Sequence, residues 1–252
     1  VSVLFYMRIG QVMLGTMASY TDLGDYSAAV KISEVWYFVP VVISTTIYPK
    51  LIECKKINET LYYARMQEFF SVMALISYAA VIPTFFLNRQ IITIIFGDQY
   101  VNAGAILSVH IWAGLFVAMG TGRNSWCNIE NFTKGTFYST LGGALLNVVL
   151  NIPLIKLYGG MGAAWATMIA RIVSGYVATV FMSRKIFIMQ TRSLYLGGLY
   201  SLLRQMLRHD KQAEGGYPYW HFRASFGPQV DAMAELFIRE LTEGIGDTGI
   251  RA

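Results

Sequence analysis

The sequence is poor in charged residues and in cysteine. Only 14% of its 252 residues are charged, against about 25% in an average soluble domain, while 55% are hydrophobic. This balance excludes an ordinary soluble domain for most of the chain. Two cysteines, Cys54 and Cys127, are too few and too far apart for a disulfide framework or a cysteine-based zinc site.

Motifs that carry chemistry are also missing from the apolar part of the sequence, which extends to about residue 190. It holds no metal-ligand cluster, no nucleophile motif and no glycine-rich phosphate loop. We therefore expect no enzyme activity and no cofactor. The net charge of +5 does not indicate nucleic acid as a partner, because the basic residues lie in short turns between apolar stretches, where membrane topology places them.

Long uncharged or nearly uncharged segments dominate the first 190 residues. Crossing the hydrocarbon core of a bilayer takes about 20 mostly apolar residues. Six segments qualify: 3–20, 28–49, 69–87, 103–122, 135–155 and 157–183. They predict an all-α integral membrane protein, with a six-helix bundle over residues 1–192 and a short soluble, partly helical tail over 193–252. The chain begins inside an apolar stretch, with neither a charged leader nor a small-residue cleavage site, so we expect a fragment of a longer protein rather than a signal peptide.

The basic residues indicate an orientation. One set of loops holds Lys50, Lys55, Lys56, Arg65, Arg123, Lys134, Arg184, Lys185 and Arg192, and the opposite set holds Arg89, Lys156 and an acidic turn at 21–25. Cytoplasmic loops are the richer in lysine and arginine, so the first set is assigned to the cytoplasm, together with the tail and both cysteines. The stretch 91–96 is too short to cross and is expected to lie at the outer interface.

Ionisable side chains inside the segments are the candidate site. They are Arg8, Lys31, Glu34 and Arg171, and groups of this kind at membrane depth are expensive unless they line water or find partners. Arg8 and Lys31 lie near segment ends, where snorkelling to the interface is an alternative, and Lys31 and Glu34 could neutralise each other. Arg171 lies mid-segment and is the main candidate.

Further polar residues extend this picture. Asn147 shares a helical face with Thr140, Gly143 and Asn151, while a ladder of small residues at four-residue spacing, Gly162 to Ala178, predicts close helix packing. His110 is interpreted as a structural histidine with a satisfied hydrogen bond. Basic groups without paired catalytic carboxylates favour binding and moving an anion over breaking a bond.

Four stretches carry a resemblance to a known family: YMRIGQVMLGTM, GDYSAAVKISEVWYFVPVVISTTIYPKL, IIFGDQYVNAGAILSVHIWAGLFVAMG and GALLNVVLNIPLIKLYGGMGAAWAT. In this order, they resemble the C-terminal half of the polysaccharide-biosynthesis flippases, the O-antigen or repeat-unit transporters of the MATE-like superfamily. The resemblance implies two six-helix bundles around a central cavity in a bacterial inner membrane. It also implies an undecaprenyl-pyrophosphate-linked oligosaccharide as substrate, and hence a missing N-terminal bundle.

The chain departs from that family at Gly10, where members usually carry an acidic residue. The end of the tail, AELFIRELTEGIGDTGIRA, resembles a short segment of phosphotriesterase-like hydrolases, but His209 and His221 stand alone, without the paired-histidine metal motif. The tail is therefore expected to be a foreign or fused fragment. The alternatives to a flippase are half of a drug or cation antiporter, which would need interior acids, and a non-transporting membrane remnant.

Overall fold

The structure of the protein is a computed structural model that describes the backbone of residues 2–195 and the side chains of residues 9–195. Nearly all of the predicted tail, from residue 196 onward, lies outside the described residues, and so do its two histidines. Between residues 2 and 195 the regular elements are all helical, with no strand. The predicted all-α fold class is therefore confirmed for this part of the chain.

Ten α-helices follow one another along the described chain. They are α1 (Ser2–Met17), α2 (Tyr20–Val35), α3 (Phe38–Ile57), α4 (Glu59–Phe86), α5 (Asn88–Phe96), α6 (Ala103–His110), α7 (Ala113–Ile129), α8 (Thr133–Ile172), α9 (Ala178–Met182) and α10 (Arg184–Leu194). A π-helix, Val173–Val177, joins α8 to α9, and a short 3₁₀ turn, Asp98–Tyr100, precedes α6.

Four helical segments of the described chain are long and apolar enough to cross a membrane. They are Tyr20–Ile57, Glu59–Phe86, Ala103–Ile129 and Thr133–Met182. The helices extend beyond the predicted segments, because single residues or short turns replace the expected loops. Asn58 alone separates α3 from α4, and Arg123, expected in a cytoplasmic loop, lies inside α7 and is buried.

Helix α8 folds back on itself at Gly159. The backbone there has φ 56° and ψ −133°, a conformation that only glycine adopts at low cost. In a straight helix Asn147 and Thr167 would lie about 30 Å apart, yet their side chains are hydrogen-bonded at 3.4 Å. The two antiparallel legs match the fifth and sixth predicted segments. The first segment corresponds to α1, which has only 16 residues, so the count of six spans stays a prediction.

The first leg of α8 has its polarity reversed relative to a water-soluble helix. Phe137, Leu141, Leu145 and Val149 recur every four residues on an exposed face. Asn147 and Asn151, by contrast, face the protein and are buried. An apolar exterior with a polar interior is stable in lipid and unfavourable in water. The chain is therefore a multi-pass membrane protein.

The acidic stretch at 21–25, predicted as a turn, instead forms the start of α2. Ser19 caps this helix: its hydroxyl oxygen accepts from the Asp22 amide at 3.1 Å and its hydroxyl donates to the Asp22 carboxylate at 2.7 Å. An acidic residue in the first turn also complements the positive end of the helix dipole. The loop between α1 and α2 is thereby reduced to Ala18 and Ser19.

Members of the two predicted sets of loops lie at opposite ends of the 28-residue helix α4. At its start, Lys55 forms an ion pair with Glu130 at 2.8 Å, and the Lys185 ammonium lies 3.0 Å from the centre of the Tyr63 ring. At the far end, α5 follows directly, and Arg89 on it lies beside Gly104 of α6. Ile106 of the same helix α6 lies beside Gly160, next to Asp22. Lys55 and Lys185 of the first set thus share an end, while the sorting of the remaining loops and the end that faces the cytoplasm stay predictions.

Candidate functional site

Three interruptions of regular helix lie around one region of the bundle. The first separates α2 from α3 at Trp36 and Tyr37. Pro40 has no amide hydrogen to donate to the carbonyl of Trp36, so the regular bond between them cannot form. The Val39 amide bonds that carbonyl instead, at the shorter three-residue spacing and 3.3 Å. The interruption therefore lies three to four residues before the proline.

The second interruption separates α6 from α7 at Ile111 and Trp112. The Trp112 amide bonds the Val109 carbonyl, three residues back, at 3.3 Å. No proline is nearby, and this break was not predicted. It places His110 at the last position of α6.

The third interruption is the π-helix Val173–Val177, which begins two residues after Arg171. Its hydrogen bonds span five residues: the Ala178 amide bonds the Val173 carbonyl. Single π-turns of this kind widen a helix locally and occur often at functional sites. Half-helices that end inside the bilayer are also how many transporters build their binding sites.

A polar cleft lies where the three interruptions meet. Eight residues line it: Gly10, Tyr26, Glu34, Tyr37, His110, Asn147, Thr167 and Arg171. They come from α1, α2, α6 and both legs of α8 and from the α2–α3 break. We call this set the interior cleft.

The structure brings together three of the five predicted site residues. Arg171, Glu34 and Asn147 all line the interior cleft. Lys31 lies on an exposed part of α2 and is not among the lining residues. Arg8 lies in α1, and its side chain is outside the described residues. The assignment of all five residues to a substrate site stays a prediction.

One wall of the interior cleft is a chain of hydrogen bonds centred on Thr167. Asn151 donates its amide to the Asn147 oxygen at 3.1 Å, and Asn147 donates to the Thr167 hydroxyl at 3.4 Å. The Tyr26 hydroxyl meets the same threonine at 3.3 Å. This chain holds both legs of α8 against α2 and fixes the direction of each polar group.

His110 forms a second polar contact behind the interior cleft. Its Nδ1 lies 2.6 Å from the hydroxyl oxygen of the buried Ser33, and its ring meets the edge of Tyr26 at 6.0 Å between centroids. The histidine is thus buried and partnered, which agrees with its interpretation as a structural residue.

Arg171 and Glu34 give the interior cleft charges of opposite sign. The Arg171 guanidinium lies over the Tyr37 ring, with its central carbon 5.9 Å from the ring centroid, a geometry that attracts a cation to the ring face. Glu34 lines the same cleft. The sequence predicted mainly basic groups here, whereas the described lining contains one arginine and one carboxylate.

Tyr26 and Tyr37 are lining residues that the sequence did not single out. Tyr26 lies among apolar and acidic neighbours with no distinguishing pattern. Tyr37 could have been found from Pro40, because a proline frees the backbone just before it. Gly10 was noted only as a departure from the family pattern, and a Cβ atom there would lie 3.1 Å from the Tyr26 hydroxyl.

Comparison with known proteins shows a distant similarity. The chain is 23% identical over 212 residues to a Haloferax volcanii protein named probable low-salt glycan biosynthesis flippase Agl15. The match covers 77% of this chain and 43% of the relative, so the chain spans less than half of the relative's length. No family model matches the chain, and no solved structure matches it.

Proposed function

We propose that this chain is the part of a lipid-linked glycan flippase that holds the phosphate-bearing head of the substrate. The distant similarity to a glycan flippase supports membrane flippase function in general, and a transporter rather than an enzyme. The finer proposal is an undecaprenyl-pyrophosphate-linked oligosaccharide, moved across a bacterial inner membrane by a protein of the MATE-like superfamily. The observation that carries it is Arg171, placed in the interior cleft where three helices are interrupted.

Arg171 has the chemistry that a buried pyrophosphate needs. At about 4 Å and an effective dielectric constant near 20, opposite unit charges attract by about 4 kcal/mol, which offsets part of the cost of taking phosphate out of water. The planar guanidinium also presents paired N–H groups that match two phosphate oxygens. Tyr37 beneath the guanidinium supports it on a ring face.

The interior cleft is small in this structure, with space for only a few water-sized molecules. A pyrophosphate can enter only if the cleft widens, and an oligosaccharide would have to lie outside it. We propose that an N-terminal bundle of a longer parent protein supplies the second wall for the sugars, with Arg8 and Lys31 as secondary cations nearer the membrane ends.

Glu34 favours one alternative. A carboxylate in the interior cleft would attract an organic cation, as a drug or cation antiporter requires. A lipophilic cation such as tetraphenylphosphonium separates the two functions, because the antiporter would bind it through Glu34. The flippase would bind an isoprenoid pyrophosphate through Arg171.

Binding by the full chain in lipid nanodiscs tests the proposal, with farnesyl pyrophosphate as the probe and uncharged farnesol as its control. Arg171→Ala should weaken farnesyl pyrophosphate binding at least tenfold, because a charged hydrogen bond contributes about 1.5–3 kcal/mol. Arg171→Lys should restore part of it, since the charge returns without the paired N–H groups. Lys134→Ala, on an exposed position of α8, is the matched control. Unchanged binding in Arg171→Ala, or equal binding of farnesol, would contradict the proposal.

A further inference from the structure

The π-helix Val173–Val177 is held from two sides by buried side chains. A π-turn inserts one extra residue into an α-helix. Where the hydrogen bonds return from five-residue to four-residue spacing, one backbone carbonyl is left without an amide donor. A buried carbonyl needs a partner, so a π-helix in a protein interior is stabilised when other groups donate to its carbonyls. In this structure, neighbouring helices supply side-chain donors to two consecutive carbonyls, those of Ser174 and Gly175.

Arg123 on α7 is the first donor. Its guanidinium donates to the Ser174 carbonyl and, through the other terminal nitrogen, to the Asn124 side-chain oxygen at 2.9 Å. The residue is only 3% exposed. Burying an arginine is costly, so its use on a backbone carbonyl indicates that the conformation of that carbonyl matters.

Gln190 on α10 is the second donor. It is fully buried, and its amide donates to the Gly175 carbonyl at 3.3 Å and to the Met119 carbonyl of α7 at 2.9 Å. Gly175 itself packs directly on α7, since a Cβ atom there would overlap the Phe116 carbonyl. The π-helix is therefore fixed against two helices, α7 and α10.

We propose that Arg123 and Gln190 are positioning residues that hold the π-helix and thereby set the direction in which Arg171 enters the interior cleft; the functional part of this inference rests on the proposed function. Arg171 lies two residues before the π-helix on the same continuous helical backbone. Removing the extra residue of a π-turn would rotate one side of the helix against the other by about 100°. We call Arg123 and Gln190 together the π-helix clamp.

Helix α8 is also held on the other side of Arg171. Thr167, one turn earlier, is tied to Asn147 and Tyr26. The guanidinium thus projects from a segment fixed at both ends, by the hydrogen-bond chain before it and by the π-helix clamp after it. Loosening the π-helix clamp would leave the hydrogen bonds of Thr167 in place. Only the turn that carries Arg171 would then be free to move.

The orientation of position 171 can be measured without any ligand. In the full chain in nanodiscs, Arg171→Cys reacts with N-ethylmaleimide, and peptide mass spectrometry reads its rate separately from Cys54 and Cys127. Adding Arg123→Met or Gln190→Leu should change that rate at least fivefold. Adding Arg123→Lys should return it to within about twofold, because lysine can still donate to the Ser174 carbonyl. Arg89→Met, on an exposed position of α5, is the matched control.

Binding then tests whether the π-helix clamp acts through Arg171. Arg123→Met should weaken farnesyl pyrophosphate binding about tenfold when Arg171 is present. It should add nothing in an Arg171→Ala background, because residues that act through one another are not additive. If Arg123 had a purely structural role, Arg123→Met would weaken binding equally in both backgrounds and would lower the unfolding temperature. That result would overturn the inference.

The outcomes separate the two proposals. Unchanged labelling rates in folded Arg123→Met and Gln190→Leu proteins would overturn the π-helix clamp, whatever binding shows. Loss of folded protein in both variants would assign them to stability alone and overturn it as well. If Arg171→Ala does not change farnesyl pyrophosphate binding, the proposed function fails, while the labelling rates still decide on the clamp.

Discussion

Glu34 and Arg171 are the two residues on which the chemistry of the interior cleft depends. Both were selected from the sequence because charge inside an apolar segment is expensive, and both line the cleft. Lys31 was selected by the same argument and lies on an exposed part of α2 instead. Residues three positions apart differ by about 60° around a helix. The edge of the interior cleft falls between these two positions of α2.

Replacing Glu34 tests whether the interior cleft takes an anion. Glu34→Gln should strengthen farnesyl pyrophosphate binding roughly fivefold, because it removes a repulsion of about 1 kcal/mol between the carboxylate and the phosphates. Glu53→Gln, on an exposed position of α3, should have no effect. Weaker binding in Glu34→Gln would mean that the carboxylate holds Arg171 in place. Loss of tetraphenylphosphonium binding in Glu34→Gln would instead favour the cation antiporter.

Among the elements, α8 departs most from a plain helix. It runs 40 residues from Thr133 to Ile172 and turns back at Gly159, so that Asn147 and Thr167 meet across the turn. Pro153 lies inside the first leg, and the helix continues through it. The proline did not decide where the chain turned. The reversal requires the backbone freedom of glycine and occurs at Gly159, whereas the helix continues through the other glycine pair, Gly142 and Gly143.

Substitution at the reversal should be costly. Gly159→Ala places a Cβ atom on a residue with φ 56° and ψ −133°, and that atom would lie 2.9 Å from the Asp22 carboxylate. We expect a loss of about 1–3 kcal/mol in the free energy of unfolding, seen as a lower midpoint in thermal unfolding in detergent.

Gly142→Ala is the matched control for that substitution. Gly142 lies in the first leg of α8, and a Cβ atom there would meet nothing within 4 Å. This change should be neutral or stabilise by up to about 1 kcal/mol through helix propensity. Equal midpoints for the two variants would contradict the reversal at Gly159.

The described part of the chain, through residue 195, presents apolar side chains outward, as on the first leg of α8. Its orientation in the membrane can be checked with thiol reagents. Cys127 is completely buried and therefore a poor reporter, whereas Cys54 is partly exposed. Lys156, in the opposite set of loops, is exposed and offers a position for a second probe.

With a membrane-impermeant maleimide, we expect Cys54 to react only after cells are permeabilised. Lys156→Cys should add a site that reacts in intact cells. The physical reason is the excess of lysine and arginine in the loops near Cys54, which retains them in the cytoplasm. Labelling of Cys54 in intact cells, with Lys156→Cys protected, would reverse the orientation.

The sequence by itself determined the helical class and the membrane environment. These properties depend on the length and polarity of local segments, and such information is contiguous along the chain. The same local argument failed for Arg123, which was placed in a loop and is buried in α7. A charged residue just beyond an apolar segment resembles a loop residue until its partner, here the Ser174 carbonyl, is known.

Only the tertiary structure decided the interior cleft and the π-helix clamp. Tyr26 meets Thr167 across 141 positions of sequence, Ser33 meets His110 across 77, and Gln190 reaches Met119 across 71. No local pattern records such pairs, because each depends on how helices cross and where they are interrupted. Hydrophobic length and loop charge fix which segments enter the membrane. Packing between distant segments fixes which polar groups meet inside it.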